Sequence, residues 1–261
     1  MSHFYDNGTF SYQEYWTNRQ YEHQCETLAL QTLIKHRRFD QVADIGGGFG
    51  RLLPVLAQFT THLTLVEPSS KHRLQASQLK IKNINLTVVN GTAEKTTLPS
   101  SSIDLAVCVR VLHHLPHPDP VFQEFTRIVK PNGFLIIEFA NSLHFKARLD
   151  NWIKGTPILP TPIERRSPAA IRQGMIPFVN HHPHSIFRQL SNHGFRLIQT
   201  LSVSNFRSQF IKKVVPLPLL IGLEYLLQRP LSKLYFGPSI FVLAQRVSGE
   251  RSRTIDKRQN P

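Results

Sequence analysis

Ten residues, VADIGGGFGR at 42–51, constrain this chain more than any other stretch. A short apolar run, of the kind that forms a covered strand, leads straight into Gly46, Gly47, Gly48 and Gly50. The backbone there can turn sharply and approach a ligand with no Cβ in the way. The acid Asp44 near the end of the run shapes what is bound. Phosphate cradles use free N–H groups at a helix start, whereas a loop shadowed by a carboxylate suits a cationic or hydroxyl-bearing ligand. The spacing is G-x-G-x-G, with Arg51 standing where a dinucleotide fingerprint has its third glycine, which argues against a nicotinamide oxidoreductase.

The rest of 41–139 repeats the same theme. VADI (42–45), LTLVE (63–67), LTVV (86–89), IDLAVCV (103–109) and FLIIEF (134–139) are non-alternating and rich in β-branched residues, the pattern of parallel strands covered on both faces. Helical spacing of apolar residues lies between them at 52–59, 71–80 and 121–129. Repeated β–α alternation predicts an α/β, Rossmann-like doubly wound sheet. The chain divides into a lead-in at 1–38, a core at 39–141, a proline-rich cap or insertion at 142–183, a completion of the sheet at 184–247 and a basic tail at 248–261. Within the completion, 185–193 reads as a helix, 195–203 as a strand, 210–235 as helix broken at its prolines and 240–244 as a last strand.

A second acid, Glu67, ends the second strand twenty-three positions after Asp44, where a ribose-binding carboxylate falls in such sheets. The loops NGTAEKTTLP (90–99) and RVLHHLPH (110–117) leave strands three and four at the same carboxyl edge. With DIGGGFG, the strand-two Glu, A-E-x-x-x-LP, S-x-I-D-L-A-V, VLHHL and IVKPNGFLIIE in order, residues 39–141 resemble class I S-adenosylmethionine-dependent methyltransferases of the type 11 group.

That resemblance implies a seven-stranded sheet whose seventh strand runs antiparallel, an irregular helical cap after strand five, and S-adenosyl-L-methionine as cofactor. It assigns Asp44, Gly46, Gly48 and Gly50 to the methionine moiety, Glu67 to the ribose, and Thr92 and Ala93 to the adenine, with Gly47, Pro68 and Val111 in the same cleft. Thr92 departs from the family's usual Asp, and its hydroxyl is a weaker acceptor than a carboxylate. Arg110 at the rim is a candidate partner for the methionine carboxylate. His114 first, and His113 second, are candidates for a general base. The lead-in helix at 15–34 either lays Tyr15, Arg19 and Tyr21 on the cofactor or packs Leu28, Leu30, Leu33 and Ile34 on the sheet.

The expected reaction is methyl transfer to an oxygen, nitrogen or carbon of a small-molecule acceptor. A net charge of +14 admits an anionic or lipid-like acceptor, an anionic membrane or RNA. The RNA reading and a non-catalytic cofactor-binding scaffold remain alternatives; nucleic acid is disfavoured because basic and aromatic residues are not interleaved. Adjacent histidines at 113–114 without acid or Cys at ligand spacing argue against a metal, and HHPH (181–184) reads as a solvated turn. Leu217–Leu234, flanked by Lys212, Lys213, Arg229 and Lys233, reads either as an interfacial element or, preferentially, as an apolar helix pair closing the substrate pocket. Interrupted by Pro216, Pro218, Gly222 and Glu224, it falls short of the roughly 18–20 apolar residues of a membrane span. Two distant cysteines, Cys25 and Cys108, and no apolar leader after Met1 predict a cytoplasmic location.

Overall fold

The computed structural model describes Asp6 and residues 12–248. Two lead-in helices, α1 (Tyr12–Thr17) and α2 (Gln20–Ile34), precede the sheet. The core then runs β1 (Gln41–Ile45), α3 (Leu53–Leu56), β2 (His62–Val66), α4 (Ser70–Ser77), β3 (Asn85–Val89), β4 (Ile103–Cys108), α5 (Asp119–Ile128) and β5 (Val129–Ala140). The proline-rich segment holds α6 (Phe145–Lys154), a hairpin of β6 (Ile163–Glu164) and β7 (Val179–Asn180), and the short α7 (Pro168–Arg172) between them. Then follow α8 (Pro183–Asn192), β8 (Phe195–Val203), α9 (Gln209–Val214), α10 (Leu217–Ser232) and β9 (Ser239–Arg246).

Seven strands form one sheet in the order β3-β2-β1-β4-β5-β9-β8. The first five are parallel, and β9 slots antiparallel between β5 and β8. The order reverses between β1 and β4, the place where open α/β sheets bind ligands. Alternation along each strand sends Val42, Leu63, Leu65, Leu105 and Val107 to one layer with α2, α3 and α10. Ala43, Ile45, Ala106, Ile137 and Phe139 go to the other, with Phe122, Phe125, Ile186 and Leu190 of α5 and α8. Pairing of Ile45 with Val66, and of Val66 with Val89, ends the first three strands flush, so their following loops meet at one edge.

Local chemistry explains where the elements depart from their expected bounds. The helix expected at 52–59 shrinks to α3 because Leu53 and Val55 donate three residues back, to Gly50 and Leu52, as the chain leaves the glycine turn. Ser69 caps α4, its hydroxyl accepting from the His72 N–H at 3.3 Å. Residues 130–133, ahead of the strand expected at 134–139, lie inside β5 as a bulge between the Ile103–Val129 and Leu105–Phe134 pairs, with Asn132 at φ +63°.

HHPH is not a solvated turn: His181 and His182 are buried, and His184 alone faces solvent. The His181 N–H donates to the Ala140 carbonyl at 2.7 Å, and Ser142 N–H to the His181 carbonyl at 3.0 Å. The chain returns from the cap along the end of β5, and that pairing pulls both rings inward. Among the described residues no helix is long and apolar enough to cross a membrane.

Candidate active site

The glycine loop is shaped by its neighbours on both sides. Gly46 (φ +73°) donates to the Val66 carbonyl at 2.7 Å, and a Cβ there would run into the Val111 side chain. A Cβ on Gly47 would stand 2.6 Å from Asp44 Oδ2 and 2.8 Å from Leu65 Cδ1. Asp44 is thus sealed beneath the loop, 1% exposed, and its Oδ2 has no hydrogen-bond partner among the described residues. Burial, reinforced by the Glu67 charge and opposed by Arg51, raises its carboxyl to about 7. Glu67 closes the other side: Oε2 accepts from Gly48 N–H at 3.0 Å and Oε1 from Ser69 N–H at 2.9 Å.

These loops line one cleft, open to solvent, at the carboxyl edge of the sheet. Of the residues named from sequence, Gly46, Gly48, Glu67 and Pro68 line one wall; Thr92, Ala93, Arg110, Val111 and His114 line the other. Asp44, Gly47, Gly50 and His113 do not line it: Asp44 lies beneath the loop, Gly47 covers Asp44, and Gly50 (φ +88°) packs against Leu53 and Leu79. His72, Glu94 and Leu115 also line the cleft and escaped the sequence reading. Glu94 lies within the A-E-x-x-x-LP motif and was open to detection, whereas His72 arrives only through the first turn of α4, its Nδ1 3.7 Å from Glu67 Oε1.

Arg110 is held from two sides. Its backbone, at φ +65°, donates to Glu138 Oε2 at 2.9 Å, while its Nε and Nη2 reach Glu26 Oε1 at 2.7 and 2.6 Å. Arg51 Nη2 meets the other Glu26 oxygen at 2.6 Å, and the Trp16 ring lies 3.7 Å from the Arg51 guanidinium and 5.2 Å from that of Arg110. Burial alone would raise the Glu26 carboxyl; the charges of Arg110 and Arg51 outweigh it and leave it lowered. Two guanidiniums share one buried carboxylate, which fixes Arg110 at the rim of the cleft.

The lead-in therefore reaches the rim through Trp16 and Glu26, not through Tyr21. Tyr21 is buried between α2 and α10, donating to Glu224 Oε1 at 2.5 Å and accepting from Phe206 N–H at 2.9 Å. Tyr15 and Arg19 stack on each other at 4.1 Å and do not line the cleft. No described residue of α9 or α10 lines this cleft. Instead α10 buries Leu220, Glu224, Gln228 and Ser232 and leaves Leu219, Tyr225 and Leu226 outside.

The two candidate bases sit in one 3-10 turn, Leu112–His114, and point differently. His114 Nδ1 lies 2.8 Å from the Pro177 carbonyl, which can only accept, so Nδ1 carries the hydrogen and Nε2 is the basic nitrogen. Burial lowers the His114 pKa, partly offset by that hydrogen bond. His113 is 6% exposed, its ring 4.1 Å from His114 and 4.8 Å from Phe178. Burial first, then the charges of His114, Arg110 and His181, drives its pKa well down. Among the described residues no three His, Cys, Asp or Glu side chains gather as a metal site.

Known proteins resemble the segment of the chain that builds the cleft. Residues 43–137 match a family model described as a methyltransferase domain. A ubiquinone biosynthesis O-methyltransferase of Colwellia psychrerythraea is 30% identical over 137 residues, 46% of this chain and 54% of that protein. The chain spans about half the length of the curated relatives it matches. An S-adenosylmethionine-dependent methyltransferase of Thermotoga maritima, described as a possible histamine N-methyltransferase, superposes with TM-score 0.60 at 18% identity, covering 94% of this chain and 99% of its own. A putative one of Listeria monocytogenes gives TM-score 0.61 at 12% identity, covering 87% and 98%. With the 3-2-1-4-5 parallel core and the inserted antiparallel strand, the chain has the Rossmann-like fold of those methyltransferases, and residues 43–137 within it match a methyltransferase domain.

Proposed function

We propose that the chain transfers a methyl group from S-adenosylmethionine to the hydroxyl of a small, amphiphilic acceptor. The observation that carries the cofactor side is the Asp44 carboxylate, buried without a partner at Oδ2 under a loop that admits no Cβ, beside Glu67. Ribose hydroxyls answer Glu67, which lines the cleft, and a cationic amino acid moiety on the loop is drawn by the charge of Asp44 beneath it. Thr92, Ala93 and Glu94, which line the cleft, would take the base, and Arg110 at its rim a carboxylate. When bound, the cofactor supplies a methyl group on a cationic sulfur.

The protein's own part is alignment, exclusion of water and acceptance of one proton. Holding donor and acceptor at near-attack distance removes much of the entropic barrier. Val111, Leu115 and Ala93 give the cleft apolar walls. His114, neutral and with Nε2 as its basic nitrogen, would accept the acceptor's hydroxyl proton. An oxygen acceptor is supported by the O-methyltransferase names of the curated relatives, and an amphiphilic one by the apolar side chains of the 142–183 segment. Cys25 and Cys108, both unbridged and buried, fit a reducing cytoplasmic setting.

The test is transfer of labelled methyl from S-adenosylmethionine to phenols and catechols with and without an alkyl chain, with RNA as a competing acceptor. Label appearing in alkylated phenols, and falling sharply in His114→Gln, supports the reading. Label entering RNA alone, or cofactor binding with no transfer to any acceptor, overturns it.

A further inference from the structure

The helix of the 142–183 segment wears its apolar face outward. In α6, Phe145, Leu149, Trp152 and Ile153 recur at i, i+4, i+7 and i+8, one stripe of a 3.6-residue helix. They are 50%, 44%, 79% and 70% exposed, and no residue of α6 is buried. A helix packed on its own core shows the reverse. Lys146 and Arg148 stand on the two flanks of the stripe. The segment carries six Lys and Arg against two acids, and both acids are already paired, Asp150 with Lys154 at 2.8 Å and Glu164 with Arg166 at 2.7 Å. What remains is positive.

A second patch continues this surface. The Phe145 ring stacks on Phe236 at 5.1 Å, and its N–H donates to the Phe236 carbonyl at 2.9 Å. The first turn of α6 thereby abuts the turn that follows α10, bearing Lys233 and the 56% exposed Leu234. An apolar stripe with an aromatic at its crest and cations along its margins matches a surface of lipid tails beneath anionic headgroups. A second copy of the chain would set Lys146 and Arg148 against their own images, which like-charge repulsion opposes.

We propose that α6, with the 233–236 turn, docks this protein onto an anionic lipid bilayer. The face is tied to the cleft: past α6 and α7 the chain supplies the Pro177 carbonyl to His114 and the Phe178 ring to His113. An acceptor dissolved in the bilayer would then reach the base without crossing water. This last step rests on the proposed function, whereas docking does not. Vesicle binding is measured with no cofactor or acceptor, so an inert protein that binds and an active one that does not are separate results.

The chain provides its own probe. Trp152 is 79% exposed, and the other tryptophan, Trp16, is 7% exposed. The full chain is mixed with phosphatidylcholine vesicles, with and without phosphatidylglycerol, and followed by co-sedimentation and tryptophan emission. Expected are binding that requires phosphatidylglycerol, weakens with salt, and moves the emission to the blue. Trp152→Ser combined with Ile153→Ser should weaken sedimentation at least tenfold, with an unchanged Tm and cofactor affinity. No sedimentation with phosphatidylglycerol vesicles overturns the proposal. So does binding with unmoved emission that the double variant retains, which would place the contact elsewhere. Self-association of the chain that the double variant abolishes overturns it as well, in favour of a second copy.

Discussion

Replacing Asp44 by Asn tests the burial of a carboxyl beneath the glycine loop. Its pKa stands at about 7 in the folded protein against 3.8 for the free side chain. Between those values the native state holds a proton that the unfolded chain has released, so stability falls as pH rises through the window and the penalty is complete above it. Three units correspond to about 4 kcal/mol at full ionisation. At pH 5 about 1.7 kcal/mol has already been lost, so the wild type should lose about 2.5 kcal/mol more between pH 5 and pH 8 from this group. The amide of Asp44→Asn cannot ionise, and every other titrating residue is common to both proteins. Urea unfolding of wild type and variant at the two pH values should therefore show the variant's relative stability growing by about that amount. The same substitution should weaken S-adenosylmethionine binding. Parallel pH profiles for the two proteins would refute the reasoning.

Three further perturbations address the surrounding machinery. Glu26→Gln strips the shared carboxylate from Arg51 and Arg110, and thermal melts should register a loss of about 3–5 kcal/mol, the cost of breaking a buried charged group; a Tm within a degree of wild type would contradict the clamp. Gly46→Ala places a Cβ at φ +73° against Val111 and should cost about 1–3 kcal/mol in urea unfolding and depress cofactor affinity, with Val111→Ala in the same chain relieving part of both. His114→Gln should lower kcat by about 10²–10⁴ and abolish the acid limb of the pH–rate profile. In the wild type, burial lowers the His114 pKa, so the base form persists to lower pH and the limb should have its midpoint below 6.5. A midpoint above that value, or an unchanged limb in the variant, would remove the base.

The parallel core was legible because its strands read as short apolar runs, with β1 and β4 buried on both faces and β3, at the sheet edge, only half covered, and because a G-x-G-x-G turn has few structural uses. Glu67 followed from register: with Ile45 paired to Val66, the residue after β2 must reach the glycine loop. What stayed hidden depends on approach in space. Glu26 is an ordinary glutamate in the lead-in until Arg51 and Arg110 converge on it. His113 and His114 are equivalent as text, and only the 3-10 turn sends one inward and the other to the cleft. The resemblance set Tyr21 near the cofactor and hydrophobicity set α10 near the pocket, yet a buried polar knot of Glu224, Asn205 and Gln228 anchors them on the far layer.

Whether the cleft around Asp44 and Glu67 is built for S-adenosylmethionine is decided by calorimetric titration of the chain with that cofactor, beside NADH and beside Glu67→Ala. Expected are micromolar binding of S-adenosylmethionine, no heat with NADH, and loss of at least tenfold in affinity in the variant, which removes acceptors from Gly48 and Ser69 as well as from the ribose. Absence of binding by wild-type protein, or equal affinity in Glu67→Ala, would contradict that assignment.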